Sequence, residues 1–312
     1  MAATRYPVVA YIRRKVQITL RSREVLELSK HLVLPCSPGR QGPQWAARGI
    51  STSTYGLGNG FNEDLMVAMA RAGGGNHYYG HTANDLMEPF ERKLDLISRL
   101  VLRRLTLRVH AADGVQVSMM NLLERASDGG WHLVDLAAGA EAWALLSVRV
   151  AADRVMDAGT LAQVLRVELS AQLPDGTPAT IPLASLQLPV LTAGAYTSLA
   201  EDELVTRRRS ELEAAETLAR IRALVAEGEW DQVESLLEAA RKKYGSNPWV
   251  TDVVAAMSAL AAQRDDSRLM KEMAYFQVSA NSRLAASCES LGVNECADIP
   301  SFLKRKARQG KA

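Results

Sequence analysis

The stretch STYGLGNGFNEDLM, residues 53–66, joins a β-rich run to a helical run through three closely spaced glycines. Many proteins bind phosphate with a glycine-rich turn of this kind, so one alternative is a nucleotide site. The dinucleotide fingerprint G-x-G-x-x-G fails, because Phe61 stands at its third glycine position. A P-loop fails too, since residues 49–70 contain no lysine or arginine. The spacing favours a plain turn from strand to helix.

The two acids that follow this turn also argue against a phosphate site. Glu63 and Asp64 fall in the first turn of the predicted helix, where they complement the positive end of its dipole. They would repel a phosphate placed there. An enzyme that binds a nucleotide through the Gly56–Gly60 loop is therefore the least favoured interpretation.

Outward from this turn, residues 49–101 predict strand, helix, strand and helix. Asn62 is placed to cap the first helix, and Thr82 with Asp85 resembles a capping box for the second. Four apolar residues line one side of that second helix: Leu86, Phe90, Leu94 and Ile97. Alternating strands and helices imply a parallel sheet, which two strands cannot form alone. Something from residues 1–48 is therefore expected to complete it, or this unit is a fragment.

Residues 47–90 also carry a resemblance to a known family. The matching features are a strand that ends in Gly-Leu-Gly, the helix start FNEDL, a Gly-Gly-Gly break and a strand with two tyrosines. Together they resemble the closing part of a bacterial von Willebrand factor type A (VWA) domain, which has a Rossmann-like α/β fold. The order of the later regions is similar to that of VWA proteins in which a β-sandwich and a helical C-terminal region follow.

The resemblance implies a magnesium site, because VWA domains act chiefly through a metal-ion-dependent adhesion site with hard oxygen ligands. Its D-x-S-x-S motif occurs nowhere in this sequence, and no aspartate precedes Asp64. We therefore expect no metal or other cofactor. We also expect a truncated VWA domain over 49–101, with residues 1–48 an irregular, basic segment that is either a replacement or a frame-shift product. The alternative is a Mg²⁺-dependent adhesion or regulatory protein whose metal ligands lie outside this chain.

The hydrophobic period changes from 3.6 to 2 after residue 101. Apolar residues alternate with polar ones in several runs, for example Leu105, Leu107 and Val109, and turns such as PDG separate the runs. This pattern predicts an antiparallel β-sandwich over residues 102–199.

Residues 200–290 predict helices rich in Ala, Leu, Glu and Arg, and a basic tail follows over 291–312. A break at Gly228 and a stop at Gly245 and Pro248 define one helical hairpin, which resembles a tetratricopeptide unit. Aromatic residues of this region form the predicted partner surface: Trp230, Tyr244, Trp249 and Tyr275.

Composition narrows the class of protein. No apolar run reaches the ~18 residues of a membrane span, and the N-terminus lacks the layout of a signal peptide, so we expect a cytoplasmic protein. Three scattered cysteines do not make a disulfide framework, although a Cys288–Cys296 link is a minor alternative. The first 48 residues carry nine Lys or Arg against two Glu. Such basic ends favour solvated tails over contacts with nucleic acid or anionic lipid.

No catalytic constellation emerges from the sequence. His77 and His81 have a spacing that could suit zinc on a helix, but they straddle Gly80 between a strand and a cap, so surface imidazoles are expected. The leading hypothesis is a non-enzymatic scaffold for protein–protein interaction. Its expected multidomain fold is a partial α/β unit, an all-β sandwich and an all-α hairpin region, with an unknown protein partner.

Overall fold

The computed structural model describes residues 14–21, 51–138, 141–150, 161–182 and 185–282. The first described strand, β1, spans Arg14–Arg21. Strands and helices then alternate: β2 (Thr52–Leu57), α1 (Glu63–Ala72), β3 (Gly74–Gly80) and α2 (Ala83–Ser98). β2 and β3 pair in parallel, as the alternation predicts. We call these four elements the α/β unit.

Local side-chain hydrogen bonds set the starts of both helices. The Asn62 Oδ1 atom accepts the Leu65 N–H at 2.9 Å, which caps α1. At α2 the Thr82 N–H donates to Asp85 Oδ2 at 2.8 Å, and Asp85 is buried. Both predicted helix starts are confirmed.

Close packing requires glycine at position 56, where β2 meets the turn. A Cβ atom on Gly56 would lie 2.2 Å from the Phe61 ring, whereas a Cβ on Gly60 would meet nothing within 4 Å. We expect Gly56→Ala to lower the free energy of unfolding by about 1–2 kcal/mol, because the half-buried ring must move. Urea denaturation of Gly56→Ala beside the control Gly60→Ala measures this, and equal loss in both would contradict it.

The parallel sheet contains two strands among the described residues. Of residues 1–48 the structure describes only β1, which pairs antiparallel with a strand of the sandwich, from Arg14 opposite Val148 to Arg21 opposite Glu141, and not with β2. The strand expected at VVAYI (8–12) and the helix expected at SREVLELSKHL (22–32) lie outside the described residues.

Residues 100–189 form antiparallel strands. In chain order they are β4 (Leu100–Ala111), β5 (Val115–Met119), β6 (Trp131–His132), β7 (Leu136–Ala137), β8 (Glu141–Val150), β9 (Leu161–Gln172), β10 (Pro178–Pro182) and β11 (Leu186–Pro189). One sheet has the order β1-β8-β5 and the other β10-β9-β4-β6, with β11 on β9 and β7 on β4. Alternate side chains from both sheets share one apolar core, which includes Leu107, Leu146 and Leu169. We call these strands the sandwich.

Up to residue 282, where the described part of the chain ends, five helices follow the sandwich: α3 (Ala193–Thr197), α4 (Glu203–Glu227), α5 (Trp230–Lys243), α6 (Pro248–Ala262) and α7 (Asp266–Ser282). Gly228 ends α4 in the left-handed conformation, and Asn247 caps α6 ahead of Pro248. The expected hairpin is therefore only α4 and α5. Two further helices pack with it around one core, and we call the four long helices the bundle.

The bundle contacts both other units. Tyr275 of α7 packs against Tyr79 of β3. At the sandwich, the Leu122 N–H donates to Asn281 Oδ1 at 2.7 Å, and the Asn121 amide donates to the Asn281 carbonyl. The bundle thus contacts both the α/β unit and the sandwich. No described strand pairs with the outer edge of β2.

Candidate interaction surface

The outer edge of β2 has no neighbouring strand among the described residues. The helix α2 packs on β3 and β2, and its Met87, Phe90 and Leu94 are 55%, 47% and 47% exposed. Positions three and four apart share one helix face, so these side chains form a continuous apolar stripe. Leu57, at the end of β2, is equally exposed. Large apolar side chains exposed together are typical of a binding surface.

Tyr55 ties the stripe to β2. Its ring stacks on Tyr78 of β3 at 4.8 Å and meets Phe90 edge-on at 5.6 Å. Burial raises the pKa of the Tyr55 phenol, and the neighbouring Tyr78 adds to the shift, so the ring stays neutral and apolar in character. We define the β2 edge surface as Ser53, Tyr55 and Leu57 of β2 with Met87, Phe90 and Leu94 of α2.

The acids of the glycine-rich turn bind cations of the bundle. Glu63 accepts from Arg222 of α4 at 3.1 Å and from Lys271 of α7 at 3.0 Å. Asp64 lies 2.7 Å from the same Arg222 guanidinium. Burial opposes ionisation of Glu63, but its own backbone N–H and the two cations together hold the pKa of this carboxyl below its usual value. The turn therefore docks the α/β unit onto the bundle, with its carboxylates where an anion would have to sit.

The metal that the resemblance implies would need several oxygen ligands at the carboxyl ends of the parallel strands. At that end Asn59 Oδ1 accepts the Tyr79 hydroxyl at 3.3 Å, and both Glu63 oxygens are engaged by cations. Within the described ranges, no three His, Cys, Asp or Glu side chains are grouped closely enough to hold an ion. These residues do not fit a magnesium site.

A narrow cleft separates α2 from the sandwich, and Asn76, Lys93 and Asp135 line it. Burial lowers the pKa of the Lys93 amine and raises the pKa of the Asp135 carboxyl, which accepts the Arg104 N–H at 2.8 Å. The attraction between these two charges opposes both shifts. The cleft thereby couples the α/β unit to the sandwich.

Three of the four residues predicted as a partner surface are buried. Tyr244, Trp249 and Tyr275 are 3–4% exposed. Trp249 packs on Phe276 with ring centroids 4.6 Å apart, and the Tyr244 hydroxyl lies 3.2 Å from Thr217 Oγ1. Tyr244 and Trp249 lie in the core of the bundle and Tyr275 packs against Tyr79 of β3, so the structure places all three in contacts within the chain.

Trp230 alone keeps a half-buried position, and the Arg264 guanidinium lies 4.5 Å above its ring. The structure does not bring it next to the β2 edge surface, since it begins α5 on the bundle. Sequence reasoning placed Phe90 and Leu94 on one apolar helix side but did not identify that side as exposed.

His77 also differs from its prediction. It is buried in β3 instead of lying on the surface, and its Nδ1 is 2.9 Å from Thr54 Oγ1, which in turn donates to the Met66 carbonyl. His81 is exposed at the start of the next turn. The two imidazoles therefore lie in different environments and do not form a zinc pair.

No helix within the described residues is both long and apolar enough to cross a membrane.

Comparison with known proteins rests on structure, because no family and no curated protein matches the sequence. The fold is similar to von Willebrand factor type A from Catenulispora acidiphila, with a TM-score of 0.54 and 16% identity, over 74% of this chain and 57% of that chain.

Two further solved structures are also similar to this chain, with lower TM-scores. The ArnB paralog VWA2 from Sulfolobus acidocaldarius gives 0.43 at 15% identity, over 73% of this chain and 56% of that one. The human COPII-coat protein Sec24c gives a TM-score of 0.45 at 14% identity, over 80% of this chain and 35% of that chain. The chain thus spans little more than half the length of the first two proteins. At 16% identity the likeness to the Catenulispora acidiphila protein concerns the fold alone, and it shows that this chain has a von Willebrand factor type A-like fold.

Proposed function

We propose that this chain is a non-enzymatic protein-interaction module that binds a partner protein through the β2 edge surface. The observation that carries the proposal is the exposed apolar stripe of α2 together with an edge of β2 on which no described strand pairs. A solvated apolar stripe is costly to leave open, and its burial by a partner is favourable at about 25 cal/mol per Å². The von Willebrand factor type A-like fold supports an interaction or adhesion role.

The proposed binding does not require a metal ion. In adhesion sites that use magnesium, the ion supplies the attraction for a partner carboxylate. The β2 edge surface offers aromatic and aliphatic contacts instead, and its members carry no charge. The two acids of the glycine-rich turn, Glu63 and Asp64, are paired with the bundle.

Matched substitutions test the site. The double substitution Met87→Glu and Leu94→Glu places charge on the stripe, and Leu199→Glu places it on a separate exposed leucine at the same degree of exposure. We expect proteins that co-purify with the unmodified chain to persist with Leu199→Glu and to fall at least tenfold with the double variant. Quantitative mass spectrometry measures this. Equal recovery in all three chains would contradict the proposal.

Calorimetric titration separates the alternatives. Tight Mg²⁺ binding by this chain would overturn the metal-free interaction module, and ATP binding would favour the nucleotide enzyme that uses the Gly56–Gly60 loop. We expect neither ligand to release or absorb heat beyond dilution.

A further inference from the structure

Every second residue of β2 directs its backbone N–H and C=O groups toward the edge that has no described neighbouring strand. The Thr52 N–H donates to the Gly73 carbonyl at 2.9 Å, and the Gly58 N–H donates to the Gly80 carbonyl at 2.9 Å. Successive residues of a strand point their N–H and C=O groups in opposite directions. The even-numbered residues therefore face β3, and Ser53, Tyr55 and Leu57 direct their N–H and C=O groups away from it.

The side chains of the same strand alternate between the two faces of the sheet. Thr54 reaches the α1 side, where its hydroxyl donates to the Met66 carbonyl at 2.9 Å. Tyr55 accordingly lies on the α2 side, against Phe90. A strand added beside β2 would place every second side chain beneath the stripe of Met87, Phe90 and Leu94.

The sequence of β2 has none of the features that protect an open edge. TSTYGL contains no charge and no proline, whereas natural edge strands are commonly guarded by lysine, proline or a bulge. The register shift in this sheet falls on β3, so β2 stays regular. An uncharged edge under an apolar stripe suits an uncharged occupant.

The size of the apolar area decides what kind of occupant fits. Leu57, Met87, Phe90 and Leu94 are each about half exposed, which amounts to roughly 300–400 Å² for side chains of this size. A stable dimer of two folded chains needs about 800 Å² from each partner. A six-residue edge of about 20 Å is instead the length of one short strand.

We infer that the β2 edge surface binds a short, extended and uncharged segment of a partner protein, which adds to β2 as a third strand with alternate apolar side chains under α2. This rests on the proposed function and specifies its mode. Main-chain hydrogen bonds to Ser53, Tyr55 and Leu57 supply affinity, and the stripe selects for apolar residues at every second position.

Peptide selection followed by amide exchange tests the inference. Random eight-residue peptides displayed on phage are selected on the whole chain and counter-selected on its Leu94→Glu variant. We expect winners with alternating apolar residues. In the complex, the amides of Ser53, Tyr55 and Leu57 should exchange at least tenfold more slowly, and those of Thr54 and Gly56 should not change. Proline at a peptide position whose N–H faces β2 should abolish binding.

Each contrary outcome has a definite meaning. Selection that yields no peptide, or a peptide that binds without slowing these three amides, overturns strand addition. In the second case the effect of Leu94→Glu on binding would still support the interaction surface itself. If these amides already exchange slowly in the dilute chain without peptide, residues of the same chain cover the edge. Slowing that rises with protein concentration, with a doubled mass, would assign it to a second copy, and both results overturn the inference.

Discussion

We expect Arg208→Ala to lower the free energy of unfolding by about 3–5 kcal/mol, because it removes a cation that is paired with the buried Glu211 carboxylate. The Arg208 and Glu211 side chains are 0% and 1% exposed and lie 3.2 Å apart. The guanidinium also lies 4.8 Å from the Trp143 ring of β8. The substitution therefore affects α4 and its contact with the sandwich together.

Two controls isolate the effect of burial. Arg209→Ala removes an arginine one position away whose partner, Glu201, is largely exposed, and we expect it to cost less than about 1 kcal/mol. Arg208→Met combined with Glu211→Leu removes both charges and should restore most of the loss. Urea denaturation of the three variants gives the comparison. A loss for Arg208→Ala no larger than that for Arg209→Ala would show that the buried pair is not important for stability.

Local signals made the α/β unit predictable. The caps at Asn62 and Thr82 act within three residues of sequence, so the helix starts could be read directly. The position of β1 could not be predicted from the sequence, although Val16, Ile18 and Leu20 alternate with polar residues. Its partner β8 begins 120 residues further along the chain, and a pairing at that distance depends on the packing of the whole sandwich.

The candidate surface was harder to predict than the fold. The sequence pattern places Phe90 and Leu94 on an apolar helix side, but it does not say which neighbour covers that side. The prediction that Tyr244 and Trp249 belong to a partner surface has the same weakness, since large aromatic side chains suit a binding surface and a helical core equally well. Only the packing of four helices decides between the two, and it buries both of them.

Glu63→Gln is the second substitution from which we expect a large effect, about 2–3 kcal/mol of unfolding free energy at pH 7. Glu63 bridges Arg222 and Lys271, and Lys271 is almost fully buried, so loss of the carboxylate charge leaves this amine without its counter-ion at the junction. Asp64→Asn is the matched control, because Asp64 contacts the same Arg222 from a position that is 73% exposed. We expect it to cost less than about 1 kcal/mol.

The dependence on pH separates the charge of Glu63 from its shape. Its pKa is lower in the folded chain than the usual 4.5, so the folded state is stabilised above that value and loses the contribution as pH falls through the lowered pKa. The difference between the unmodified chain and Glu63→Gln should therefore be full at pH 7 and shrink as pH falls below 4.5 through the lowered pKa of Glu63, whereas a steric defect would persist at every pH. Denaturant unfolding of both chains across this range measures it. A constant difference would mean that the turn from β2 to α1 is held to the bundle by packing of Phe61, Tyr79 and Tyr275 rather than by its ion pairs.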